Sequence, residues 1–140
     1  MIRRYDQNDM QDVSNVWCEV AKTAYKCLNN NDIEEIRCDL EQKYMPNAKA
    51  WVAEYDGDII GFISLLDDTV GGLFVLPEYQ NMGVGKSLIE HAKKRNGKVS
   101  LEVLKESTKL LHFYERCGFS ATKESICPIT GAETITVQLH

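Results

Sequence analysis

The chain has 140 residues, of which 44% are hydrophobic and 26% charged, and its formal net charge is −5. This length suits a single domain with one core over residues 1–140, and the acidic balance argues against general nucleic-acid binding, which needs a basic face. No stretch is apolar for long enough to span a bilayer, and Met1 to Asp6 leads into no apolar run of the secretory kind.

Ile2 to Tyr5 reads as a short strand. Asp9 can cap a helix in which Met10, Val13, Val16, Trp17, Val20, Ala21 and Ala24 recur at helical spacing. After the polar break Asn29-Asn30-Asn31, Asp32 caps a second helix carrying Ile33, Ile36, Leu40 and Tyr44, with Pro46 just beyond it. Helices this short need a sheet to pack on. Trp51 to Tyr55 and Ile59 to Leu66 flank Asp56-Gly57-Asp58, a hairpin signal. A third strand at about 70–76 follows the Asp67-Asp68 turn. Met82 to Arg95 reads as a glycine loop feeding a helix, and 99–104 as an alternating strand. Ser107 or Thr108 opens a helix with Leu110, Leu111 and Tyr114 that stops at Gly118, and 119–125 and 134–139 supply two closing strands. The order β-α-α-β-β-β-α-β-α-β-β implies an α/β (mixed α+β) fold. Its central sheet is mixed and largely antiparallel, with helices on both faces and one parallel crossover between residues 70 and 104.

Cys18, Cys27, Cys38, Cys117 and Cys127 are odd in number and lack C-x-x-C spacing, which fits reduced thiols in the cytoplasm. Cys117 reads as a small packed thiol rather than a nucleophile. His91, His112 and His140 share no ligand spacing, so no metal is expected.

The densest chemistry lies in Leu73-Phe74-Val75-Leu76-Pro77-Glu78-Tyr79-Gln80-Asn81-Met82-Gly83-Val84-Gly85-Lys86-Ser87, where an apolar run gives way to close glycines and a helix start. Glycines let backbone N–H groups approach a ligand, and a helix N-terminus favours anions, so the segment suits a phosphate or pyrophosphate. Lys86, Lys93, Lys94, Arg95 and Lys98 cluster nearby. Gln80 to Ser87 comes within one glycine of G-x-x-x-x-G-K-[ST], the nucleotide P-loop. Against that reading, Pro77-Glu78-Tyr79 separates strand from loop, the preceding strands form hairpins, and only 53 residues follow Ser87. A dinucleotide G-x-G-x-x-G also fails, since Leu88 holds the third glycine position.

Read as Q-x-x-G-x-G, the segment resembles the acyl-CoA pyrophosphate loop of the GNAT superfamily of N-acetyltransferases. Leu101-Glu102-Val103 and then Phe113-Tyr114-Glu115-Arg116-Cys117-Gly118-Phe119 continue the resemblance, as does the hairpin of Trp51-Val52-Ala53-Glu54 and Ile60-Gly61-Phe62-Ile63. It covers nearly the whole chain. It implies an enzyme that holds acetyl-CoA in a splay between the strands at 70–76 and 99–104. Backbone groups of Leu73, Phe74 and Val75 would meet the pantetheine arm, and N–H groups from Gln80 through Asn81, Met82, Gly83, Val84, Gly85, Lys86 and Ser87 the pyrophosphate. Tyr114 stands where the family donates a proton to the departing thiolate. Glu102, 12 residues before it as in the ribosomal-alanine acetyltransferases, is the candidate base, since Thr69-Val70-Gly71-Gly72 offers no carboxylate. Asp67, Asp68 or Glu54 acting through water is the other route. Ser107 replaces an asparagine that contacts pantetheine in the family, and Leu110 a small residue.

The acceptor implied is an amine: a protein lysine, an N-terminus or a small amine. It would enter over the first two helices, with Trp17, Tyr25 and Trp51 either lining that entrance or, the more usual role for an aromatic, packing in the core, and Asp67, Asp68 and Glu54 near the cleft favour a cation. A catalytically silent CoA-binding regulatory module would keep the same loop. A homodimer is the common soluble assembly.

Overall fold

A computed structural model of the chain describes residues 1–24, 29–126 and 131–139; Tyr25, Cys27, Cys127 and His140 lie outside the described residues. The elements are β1 (Ile2–Arg4), α1 (Met10–Ala24), α2 (Asn30–Asp39), β2 (Lys49–Tyr55), β3 (Asp58–Leu66), β4 (Thr69–Val75), α3 (Val84–Asn96), β5 (Val99–Leu104), α4 (Thr108–Arg116), β6 (Ser120–Ile126) and β7 (Glu133–Leu139). One seven-stranded sheet runs β1-β2-β3-β4-β5-β7-β6, antiparallel except where β4 meets β5.

Both N-terminal helices start from capping boxes, and the cap lies three residues before the acid that the sequence suggests. Asp6 caps the 3-10 turn Gln7–Asp9 that leads into α1, and Asn29 caps α2 with Asp32 at its third position. A capping box places a cap and an acid three apart, so either residue alone passes for the start. Asp9 is then free to bind Arg3, whose two terminal nitrogens donate to it at 2.8 Å each. Arg3 also pairs with Glu54, fastening the edge strand β1 to β2 and to the start of α1. After α2 the chain widens into π-turns at Leu40–Tyr44 and ends in a 3-10 turn at Met45–Asn47. The β2–β3 hairpin turns on Asp56 (φ 54°) and Gly57 (φ 85°), the two positive angles that a two-residue type I′ turn requires.

Strand alternation sends residues to two cores. Trp51, Ile63, Leu65, Leu101, Val103 and Val137 face α3 and α4, where Leu88, Ile89, Ala92 and Tyr114 pack on them. Ala50, Val52, Ile59 and Phe62 face α1 and α2, against Val13, Val16, Trp17, Val20 and Ile33. Each fully buried Leu, Ile or Phe contributes roughly 1.5–3 kcal/mol of transfer free energy. The expected sheet with helices on both faces is what forms.

The joint between β4 and β5 positions the site. Against β3, Ser64 pairs with Gly72 and Leu65 with Val70, so Gly71 is an extra residue and β4 is bulged there. A bulge bends its strand and interrupts the ladder. Beside it, β4 and β5 pair only at Thr69 and Ser100, supported by the Ser100 N–H donating to the Asp68 carbonyl at 2.7 Å. Past that point the two parallel strands part.

Candidate active site

The gap between the parted strands opens onto a cleft of about 650 Å³. Alternation along β4 directs Leu73 and Val75 into it, while Phe74 turns to the opposite face and packs on Phe62 with ring centroids 5.5 Å apart. Phe74 can therefore offer only its backbone to a ligand in the cleft. Gln80, Asn81, Gly83, Gly85 and Lys86 line the cleft from the loop, and Lys109, Leu110, His112, Phe113, Tyr114 and Arg116 from α4. Met82, Val84, Ser87 and Ser107 do not line it, although Ser107 holds the N-cap position of α4 without a side-chain cap bond.

The loop exposes donors. Gly83 caps α3 in the left-handed conformation (φ 84°) and has no side chain to close the helix end. The N–H of Gln80 donates to the Pro77 carbonyl and that of Ser87 to the Gly83 carbonyl, so both outer members of the expected donor set are occupied. From Asn81 to Lys86 no N–H makes a well-aligned hydrogen bond to a backbone carbonyl among the described residues. Unsatisfied N–H groups at a helix N-terminus form an anion site. The Gln80 side chain positions the loop, because its amide donates to the Val75 carbonyl at 3.0 Å and ties the loop to the end of β4. Lys86, Lys109 and Arg116 add positive charge and form no ion pair among the described residues.

Tyr114 is buried between the edges of Phe113 and Phe119, with centroids 5.1 and 5.3 Å away. Its hydroxyl has no hydrogen-bond partner among the described residues, and Tyr114 lines the cleft. Burial pushes its phenol up to about 12, so it carries its proton throughout the neutral range. Burial likewise raises the Cys117 thiol, which suits a packed thiol and not a nucleophile.

Glu102 lies on the other face of the sheet. Its neighbours Leu101 and Val103 belong to the Tyr114 cluster, so alternation leaves Glu102 exposed on the face of Gly72 and Phe74, where it lines neither the cleft nor the pocket on that face. That face holds a second pocket of about 430 Å³, lined by Trp17, Ile36, Leu40, Phe62 and Phe74 with Asp39, Lys43, Ser64 and Gly71-Gly72. Only the thickness of β4 separates the two pockets.

The structure moves the acids and all but one of the clustered basic residues away from the cleft and puts Trp51 in the core, the second of the two roles open to it. Glu54 is held by Arg3 at the β1 edge, and Asp68 accepts from Asn96 at 3.0 Å at the start of β4; neither they nor Asp67 lines the cleft. Trp51 faces α3, where Arg4 and His91 cover it, so it lines neither the cleft nor the second pocket. Of the basic cluster, only Lys86 reaches the cleft, since Lys93, Lys94 and Arg95 occupy the last turn of α3. Besides Tyr114 and Leu110, α4 lines the cleft with Lys109, His112, Phe113 and Arg116, which the sequence reading does not single out as lining although they recur at three- and four-residue steps. No helix among the described residues is long and apolar enough to cross a membrane.

Comparison with known proteins places this geometry. The family described as Acetyltransferase (GNAT) domain matches residues 46–121. The peptidyl-lysine N-acetyltransferase YiaC of Escherichia coli K12 is 27% identical over 120 residues, covering 85% of this chain and 82% of the relative. The peptidyl-lysine N-acetyltransferase YjaB of the same organism is 28% identical over 125 residues, covering 89% and 84%. Among solved structures, apo YjaB from Escherichia coli superposes with a TM-score of 0.74 at 24% identity, over 99% of this chain and 95% of that one. The PaiA N-acetyltransferase from Thermoplasma acidophilum, solved with coenzyme A, gives 0.75 at 20% identity, over 97% and 96%.

Proposed function

The chain belongs to the GNAT family of N-acetyltransferases, enzymes that use acetyl-CoA, and on that premise we propose that it acetylates a primary amine by direct attack in a ternary complex. The observation that carries this reading is the splay: β4 and β5 pair at a single residue and part over the uncapped N-terminus of α3. Backbone groups of Leu73, Phe74 and Val75 extend to the pantetheine amides as an added strand would, and the N–H groups from Asn81 to Lys86 hold the pyrophosphate. This sets the thioester in the gap, with Tyr114 on one face and Glu102 on the other.

The two faces then divide the proton work. The amine arrives protonated and must lose a proton before it attacks. Glu102, on the acceptor face, takes that proton directly or through water. As the tetrahedral adduct collapses, the C–S bond breaks and Tyr114 donates its hydrogen bond or proton to the thiolate. Replacing Glu102 by Gln is expected to lower kcat/KM about 10- to 100-fold at pH 7, within the usual range of general-base catalysis. The deficit should shrink as pH rises toward the amine's own pKa, where free amine no longer needs a base. A pH–rate profile identical to wild type would move the role away from Glu102.

The acceptor side supports a lysine side chain. Trp17, Ile36, Leu40, Phe62 and Phe74 suit a chain of methylenes, while Asp39 at the same pocket is already paired with Lys43 at 3.3 Å. The relatives YiaC and YjaB act on peptidyl-lysine. A thiol-release screen of acetyl-CoA against lysine peptides, free N-terminal peptides, polyamines and aminoglycosides tests the assignment. Lysine peptides are expected to turn over with kcat/KM at least about tenfold above the other classes. Preference for an aminoglycoside or an N-terminal amine would replace the acceptor, and no release with any amine would favour a silent CoA-binding module.

A further inference from the structure

A third concavity lies at the β1 edge of the sheet, beneath the last turns of α3, whereas the glycine loop opens the first turn of that helix. Its volume is about 640 Å³, close to that of the coenzyme cleft. Trp51 forms its floor, and Arg4, Lys49, His91 and Arg95 its walls; no carboxylate lines it. The Arg4 guanidinium sits 5.6 Å over the Trp51 ring, and Lys49 donates to the Asn96 side chain at 3.0 Å. Arg3 also borders the pocket, but Asp9 and Glu54 neutralise it. Arg4, Lys49 and Arg95 form no ion pair among the described residues. Asp68, which accepts from Asn96 at 3.0 Å, stands outside the wall.

A position in the last turn of a helix accounts for Arg95, since a cation there offsets the helix dipole. It does not account for Arg4 or Lys49, which come from separate strands and converge on the same hollow. In a chain with a formal net charge of −5, a concave wall of cations without an acid is a local field of opposite sign to the whole. The field is felt by His91: burial, then Arg95 and Lys94, hold its pKa below the ordinary value. Guanidinium and ammonium groups around a hollow of this size match the oxygens of a phosphate chain.

We propose that this pocket binds a small phosphate-bearing polyanion, held by Arg4, Lys49 and Arg95 with His91 beside it. The site is separate from the coenzyme cleft and does not depend on the acetyltransferase reading. The test is a titration of the full chain with inorganic tripolyphosphate, followed by amide and imidazole NMR. Saturable shifts are expected at Arg4, Lys49, His91 and Arg95, with a rise in the His91 titration midpoint. They should form a set distinct from any shifts at Gly83 and Gly85, with a separate isotherm. Lys49→Ala and Arg95→Ala should each weaken this set at least tenfold and leave the glycine-loop set unchanged, and the same spectra report whether each variant is folded. AMP as a second probe separates the sources of phosphate: tighter binding of AMP identifies a nucleotide, tighter binding of tripolyphosphate a bare phosphate chain, and both support the site. Shifts confined to the glycine loop, or binding at the pocket indifferent to both substitutions, would overturn it.

Discussion

Gly85→Glu is expected to weaken coenzyme A binding at least about 100-fold, a loss of roughly 2.7 kcal/mol, without unfolding the chain. The position is permissive for a side chain: a Cβ at Gly85 would meet only Phe113 Cζ, at 3.5 Å, an ordinary contact. Gly85 is in the first turn of α3, where a carboxylate interacts favourably with the helix dipole, so the variant helix stays formed. The new side chain, however, has the cleft to fill, and its negative charge lies where the pyrophosphate must bind. Steric exclusion and repulsion act together. At Gly83, by contrast, φ is 84° and any side chain would strain the turn, so a lesion there would mix folding with binding. Calorimetry on Gly85→Glu, with thermal unfolding as the control, reads the effect; an unchanged affinity would remove the loop from coenzyme binding.

Tyr114→Phe should lower kcat about 100-fold, about 2.7 kcal/mol of barrier, with acetyl-CoA affinity within about twofold of wild type. The ring is the larger part of the residue's packing, and phenylalanine keeps the edge contacts to Phe113 and Phe119. What is lost is the hydroxyl that faces the cleft. Because burial raises the phenol to about 12, Tyr114 keeps its proton throughout the neutral and mildly alkaline range. The wild-type pH–rate profile should therefore rise as the acceptor amine loses its proton and show no descending limb from Tyr114 below about pH 10. A full-rate Tyr114→Phe enzyme would assign thiolate stabilisation elsewhere, for example to Lys86 or Lys109 at the cleft.

Much of this site could be read before folding because its signals are local. Asp56-Gly57 takes positive φ at both positions, and Gly83, also at positive φ, stands where a polar loop gives way to helix-forming residues. What escaped were features set by partners distant in sequence. The bulge at Gly71 is set by the register of β4 with β3, which the sequence reading of 70–76 as a plain strand does not contain. Glu54 looked available as a base until β1 brought Arg3 onto it, and Trp51 looked like an entrance residue until alternation turned it toward α3. Gln80 fits the family's loop pattern, yet here its side chain goes to the Val75 carbonyl. Motif and spacing single out Tyr114 and Glu102 as candidates; that they occupy opposite faces of the sheet is a consequence of strand alternation.

Direct attack of an amine on acetyl-CoA across the β4–β5 gap is the central step of the proposed function. Initial rates of thiol release, measured over crossed concentrations of acetyl-CoA and a lysine peptide, test it most directly. The predicted result is a family of double-reciprocal lines that intersect, with release near background when the amine is left out. Parallel lines, which require an acyl-enzyme on a group such as Cys117, or a rate that does not depend on the amine, would contradict it.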